Sequence, residues 1–335
     1  MEEAMKAMAS VNIEDVTHDF RPFLVIYKDG HVQRFLGTQT VPPSKDSITG
    51  VESQDVVIRP KEEDGGLWVR LYKPSKKDDD KQRFPVVVYY HGGGFCVESA
   101  ASPAYHAFLN ALSCKANVMV VSVDYRLAPE HPLPAAYDDS WAGLQWVLQS
   151  PRHPWIKDDA DLSKVYVAGD SAGANIAHQM AKKLGLENKM SMNMNMNMNK
   201  VLKGVLLIHP YFWGKERIGS EVEKLAVPPW SGMADRLWEF VCPGTSGTDD
   251  PLINPGMDTE LAVLAAEKVM VCVAEEDSLR DRGVVYKEDL IKSGCKASVE
   301  LVETIGENHV FHLFNPSSPN VGPFVDQIAG FLKSS

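Results

Sequence analysis

Two short stretches carry residues whose types and spacing suit acyl-transfer chemistry. Gly169-Asp170-Ser171-Ala172-Gly173 fits the pattern G-x-S-x-G, between the apolar run 165–168 and a helix-like run from Ala174. A serine on so sharp a strand-to-helix turn holds its hydroxyl at a helix N-terminus, where backbone N–H groups favour developing negative charge. The second stretch, His91-Gly92-Gly93-Gly94-Phe95, directly follows the apolar run 86–90. Three consecutive glycines cost backbone entropy and serve no packing purpose, but they let N–H groups approach a ligand atom closely. The N–H groups of Gly93 and Gly94, with that of Ala172, are the expected oxyanion donors. His91 is read as ordering the loop.

A serine hydroxyl needs a base to take its proton. In the chain order that such an elbow implies, nucleophile, acid and base follow one another. Only His309 and His312 of the ten histidines lie beyond the last buried run, 269–273. His309 follows the loop signal Gly306-Glu307-Asn308, whereas His312 sits inside an apolar helix start and reads as a satisfied helix histidine. His309 is therefore the favoured base, and His131, His178 and His209 read as structural or pocket-lining. For the orienting acid, 274–283 offers Glu275, Glu276, Asp277 and Asp281. Asp277 opens the loop beyond the strand, within reach of an imidazole, and is favoured; Asp281 suits an ion pair with Arg280 or Arg282.

The elements that must position these groups follow from periodicity. The runs 86–90, 118–123, 165–168, 205–208 and 269–273 are apolar throughout, as strands buried on both faces are. They alternate with helical stretches at 104–115, 137–149, 174–184 and 283–293, which argues for a parallel sheet covered on both sides. Further strands are expected at 23–27, 31–35, 55–58 and 67–72, with residues up to about 20 as a loose arm. The Met/Asn-rich segment 187–200 is expected to be a mobile loop, with a Met-rich docking or metal-binding surface as the other reading. Segment 213–245 is longer than a simple crossover. With residues 1–45 it is expected to form a cap, with Phe95, Trp213, Trp230, Trp238 and Phe240 as candidate pocket walls.

The 335 residues suffice for one large domain, and 44% hydrophobic with 24% charged residues is ordinary for a globular chain. A net charge of -11 argues against general binding of nucleic acid or anionic membrane. The five cysteines are scattered, without a C-x-x-C pair, so free thiols in a reducing compartment are expected and a structural zinc is not. No secretory signal or spanning run is apparent, which makes the cytoplasm the expected location.

In combination, HGGGF (91–95), VSVDYRLAPEHPLPAAYDD (121–139), GDSAGAN (169–175), DSLRDRG (277–283) and HVFHLF (309–314) resemble plant carboxylesterases of the hormone-sensitive-lipase branch of the α/β-hydrolases. The resemblance runs from about residue 20 to the C-terminus. It implies a single α/β domain: a mostly parallel eight-stranded sheet flanked by helices and capped. It also implies cofactor-free hydrolysis of a small ester, of a plant metabolite or a xenobiotic, with Ser171, Asp277 and His309 as the triad. Related gibberellin receptors lack the triad histidine, and 2-hydroxyisoflavanone dehydratases carry Thr at the nucleophile and HGGAF in the loop. Some alkaloid cyclases of this family have lost the acid or base. Here every member is present, so hydrolysis leads, elimination or cyclisation follows, and a receptor comes last. Asn308 departs from some relatives.

Overall fold

The computed structural model of the chain describes residues 8, 11–63, 65–75, 83–149, 153–193, 201–224 and 232–334. A small antiparallel sheet comes first, with strands β1 (Val16–Phe20), β2 (Leu24–Tyr27) and β3 (Val32–Arg34). The edge strand β4 (Glu52–Arg59) and its neighbour β5 (Leu67–Lys73) open the main sheet. Strand–helix alternation then runs β6 (Phe84–Tyr90), α1 (Pro103–Ala116), β7 (Met119–Asp124), α2 (Ala135–Leu148), β8 (Ala160–Asp170), α3 (Ala172–Asn193) and β9 (Gly204–Ile208). Two short helices, α4 (Glu221–Lys224) and α5 (Met233–Val241), follow. The chain closes with β10 (Lys268–Ala274), α6 (Arg280–Lys292), β11 (Ser298–Thr304), α7 (Phe311–Phe314) and α8 (Val321–Lys333).

The eight strands of the main sheet lie in the order β11-β10-β9-β8-β6-β7-β5-β4. All neighbours from β11 to β7 are parallel; β5 and β4 join antiparallel. The apolar runs occupy the centre: Val86, Val88, Val121, Val167, Val205 and Val271 are fully buried. Parallel neighbours end at the same edge, so the loops leaving β6, β8, β9 and β10 converge there. Register sets the depth, with Tyr90 opposite Gly169, Asp170 opposite Ile208, and Cys272 opposite Ile208.

Several elements differ from the sequence expectation. Residues 16–20, read as part of a loose arm, form β1, whose Phe20 is buried against Phe240 with ring centroids 4.8 Å apart. β11 and α8 were not expected. β11 is an edge strand of exposed and half-buried residues with none buried, so it lacks the continuous apolar run of the others. α3 continues to Asn193, into the segment expected as a loop; Glu187, Lys189 and Met190 there are good helix formers. Lys189, on that extension, pairs with Glu260 at 2.8 Å. Residues 194–200 lie outside the described residues.

One buried carboxylate ties several of these pieces together. Asp139 on α2 accepts from the Arg126 backbone N–H (3.0 Å) and Nε (2.7 Å), and from Arg59 Nη2 of β4 (2.5 Å). It thereby fixes the loop after β7, in which Ala128 donates to the Phe95 carbonyl at 2.9 Å. Asp139→Ala leaves two guanidinium groups without this acid. Both keep some solvent contact, so the expected loss of unfolding free energy is about 3 kcal/mol, the lower end for breaking a buried pair. Urea denaturation checks this, and a loss below about 1 kcal/mol contradicts it.

Candidate active site

The G-x-S-x-G segment forms the turn from β8 into α3. Ser171 has φ +52, a left-handed conformation that a non-glycine residue adopts only under constraint. The constraint is steric. A Cβ on Gly173 would collide with the carbonyl oxygens of Tyr90 and His91, and one on Gly169 with the backbone of Gly173. Backbone hydrogen bonds hold the turn: the Ser171 N–H donates to Ile208 (2.9 Å), and the Tyr211 N–H to the Ser171 carbonyl (3.0 Å).

The structure brings Ser171, His309 and Asp277 together. The Ser171 hydroxyl lies 3.0 Å from His309 Nε2, and His309 Nδ1 lies 2.6 Å from Asp277 Oδ2. Asp277 also accepts from the Leu279 N–H at 2.9 Å, and its own N–H donates to Ala274. Burial acts to raise the Asp277 pKa, but the charge and hydrogen bond of His309 outweigh it, so the carboxyl lies below its ordinary value. Desolvation acts to lower His309, and the adjacent Asp277, with Asp170 behind it, more than compensates; the imidazole lies above its ordinary 6.5. Glu275 instead accepts from the Gly306 N–H, and Asp281 pairs with Arg280 at 2.7 Å.

The glycine loop faces the same serine. Among the described residues no hydrogen bond takes up the amides of Gly93, Gly94 or Ala172, whereas the Gly92 N–H donates to the Tyr105 hydroxyl at 2.7 Å. The loop is braced from several directions. The Tyr125 hydroxyl donates to the His91 carbonyl (2.7 Å), and Arg34 Nε of β3 to the Cys96 carbonyl (2.7 Å). His91 Nδ1 bonds the Gly92 carbonyl at 2.8 Å, in keeping with an ordering role. Sequence reasoning passed over Asp170. Fully enclosed, it accepts from the hydroxyls of Tyr89 and Tyr105, both at 2.8 Å, and burial pushes its carboxyl up to about 6. An acid between a buried strand and a nucleophile was the available signal.

A family model of the α/β-hydrolase fold matches residues 87–313. "Probable carboxylesterase 2" of Arabidopsis thaliana is 44% identical, with 95% of this chain and 97% of that protein covered. The chain belongs to the plant carboxylesterase family of α/β-hydrolases. Another relative is "2-hydroxyisoflavanone dehydratase" of Glycyrrhiza echinata, 40% identical over 95% of this chain and 97% of that protein. Among solved structures, a hyperthermophilic esterase from the archaeon Pyrobaculum calidifontis is similar, at 30% identity and a TM-score of 0.68, covering 84% of this chain and 85% of that one.

In this member of the carboxylesterase family, a cavity of about 540 Å³ opens onto Ser171 and His309. Pro22, Phe23 and Leu36 line one side, and Met233 and Leu237 of α5 another. Trp213 is also on the wall, its indole N–H donating to Asp235 at 2.8 Å. Phe95 and Trp238 are not. They pack edge-to-face in the core at 6.4 Å, and Trp238 Nε1 donates to Thr245. α5 is amphipathic, and the larger indole takes its inward face. Phe240 packs on Phe20 and His18, and Trp230 lies outside the described residues. Asn308 accepts the His309 N–H at 2.7 Å and lines the cavity.

The remaining histidines separate cleanly. His178 bonds the Tyr286 hydroxyl at 3.0 Å and is structural. His312, expected to be satisfied, is buried among Phe108 and Phe324, with neither ring nitrogen hydrogen-bonded. Burial holds it well below its ordinary pKa, so it stays neutral without a partner. His309, by contrast, is raised. A raised pKa keeps the protonated form to higher pH, so an NMR titration of His309 is expected to centre above 6.5. Asp277→Asn removes the main raising influence and should move the midpoint down. A parental midpoint at or below 6.5 contradicts the reading.

Proposed function

We propose that this chain hydrolyses a carboxylic ester, with Ser171 as nucleophile, His309 as base and Asp277 as orienting acid. The observation that carries this is the continuous hydrogen-bonded line from Ser171 through His309 to Asp277, at 3.0 and 2.6 Å, beside unengaged amides. Ser171 Oγ attacks the ester carbonyl as His309 Nε2 takes its proton. The amides of Gly93, Gly94 and Ala172 receive the oxyanion, and each such donor is worth roughly 3 kcal/mol of barrier. The imidazolium, stabilised by Asp277, then protonates the leaving alcohol. Water, activated by the same imidazole, releases the acid and restores Ser171. No step calls for a metal or organic cofactor.

Residues 1–45 and 213–245 are read as the cap over this site. Small esters of plant specialised metabolism fit the cavity's size and mostly apolar walls. The cytoplasm remains the reading for location. Five free cysteines support it, and no helix among the described residues is long and apolar enough to cross a membrane.

One polar group on the cavity wall narrows the substrate class. Glu98 lines the cavity at φ +75, with its carboxyl raised by burial. A carboxyl held in a strained backbone at an apolar wall suits a substrate hydroxyl. Glu98→Gly removes it and suits the positive φ. The expected result is a roughly tenfold loss of preference for a hydroxylated ester over its alkyl analogue. An unchanged preference removes Glu98 from recognition.

The dehydratase relative favours elimination as the second reading: His309 would then abstract a proton from carbon, and no acyl-enzyme would form. Mass analysis of the quenched enzyme separates the two. Acyl-Ser171 supports hydrolysis, and an unsaturated product without it supports elimination. Ser171→Ala is expected to lower kcat on a p-nitrophenyl ester by about 10⁴-fold or more. Parental turnover in that variant overturns the assignment.

A further inference from the structure

The three groups at the site arrive on loops from different strands, and one short segment touches all three. Residues 208–211, Ile-His-Pro-Tyr, leave the end of β9. They clamp the Ser171 peptide from both sides, through the Ile208 carbonyl and the Tyr211 N–H. The His209 N–H donates to the Cys272 carbonyl at 2.8 Å, on the strand that leads to Asp277. The His209 side chain turns the other way: its Nδ1 accepts from the N–H of Val310, next to His309, at 2.8 Å.

Both partners of that bond are constrained. His209 has φ +45 and Val310 φ +44, two non-glycine residues in the left-handed region. Val310 caps α7, so its N–H has no partner inside the helix. The His209 ring is 1% exposed, stacked on Phe324 at 6.1 Å and 5.9 Å from the His309 ring. An Nδ1 that accepts leaves the ring proton on Nε2, which has no hydrogen-bond partner. Burial drives the ring's pKa down to about 3, so it stays neutral and cannot replace His309 as base. Its nitrogen nonetheless lies within 4.8 Å of ligand atoms of both Asp277 and His309. Packing alone would be served by phenylalanine; only an acceptor at Nδ1 holds the Val310 amide.

We propose that His209 is a positioning residue for His309, fixing the backbone of the 309–310 loop through the Val310 N–H so that the imidazole spans Ser171 and Asp277. This rests on the reading of Ser171, His309 and Asp277 as the catalytic groups. A displacement of the base by about 1 Å is enough to cost about 100-fold in rate.

The test compares His209→Asn, whose Oδ1 falls near the position of Nδ1, with His209→Gln, whose acceptor falls near Nε2, and with His209→Phe. The expected result is a kcat within about fivefold of parental for Asn, and roughly 10- to 100-fold lower for Gln and Phe, with KM little changed. The low-field proton resonance of the His309–Asp277 hydrogen bond should persist in the Asn variant and shift or broaden in the other two. Parental kcat in a folded Phe variant overturns the proposal. So do equal kcat and equal resonances in the Asn and Gln variants, a comparison that stands if the Phe variant does not fold. A parental chain that shows the resonance but turns over no ester fails the reading of function instead. The resonance comparison then decides the role of His209 by itself.

Discussion

The crossing of β8 and α3 over the Tyr90 carbonyl governs the rest of the site. At Gly169 and Gly173 there is no room for a side-chain carbon, and the backbones touch. That contact holds Ser171 in a left-handed conformation and presents its hydroxyl outward. It also welds the Ser171 turn to β6, whose next residues are the glycine loop. Ser171 and the glycine-loop amides therefore share one rigid junction, and their spacing does not depend on any flexible side chain. Local strain is kept in place by close packing on all sides.

The same junction explains why so much of the site was legible in the sequence. Ser171, Asp277 and the 91–95 loop each follow an apolar strand, and a parallel sheet delivers strand ends to one edge; His309 follows the edge strand β11, and the loop signal ahead of it marked its place. Chain order alone then brings them together. What was not legible depends on three-dimensional neighbours. Trp238 and Phe95 look like wall residues by type, but the amphipathic turn of α5 sends the indole inward. β1 and β11 lack a continuous apolar run, since each is an edge strand with one side in water. His209 carries no motif; its role comes from an amide brought to it by the last part of the chain. The helix over 187–193 is hidden in the sequence because the Met/Asn alternation that follows masks its helix propensity.

Two carboxyl groups flank the imidazole, and their surroundings push them in opposite directions. Asp277 receives amide and imidazole hydrogen bonds and is held low. Asp170 is buried and receives two phenol hydroxyls, and burial wins. The difference follows from the strength of each partner: a cationic imidazole outweighs desolvation, and neutral phenols do not. Asp170 thus links the glycine loop, through Tyr105, to the strand that leads into Ser171.

Part of the cavity wall, Glu98, Tyr211 and Asn308 among it, comes from the loops around Ser171 and His309, and part from elsewhere in the chain. Pro22, Phe23 and Leu36 belong to the small N-terminal sheet and its flanks, Met233 and Leu237 to α5, and none of them takes part in the junction beneath Ser171. That second part of the wall therefore sits on stretches of sequence apart from the strained turn. A substitution at one of these five positions reshapes what the cavity accepts and leaves the turn beneath Ser171 as it is.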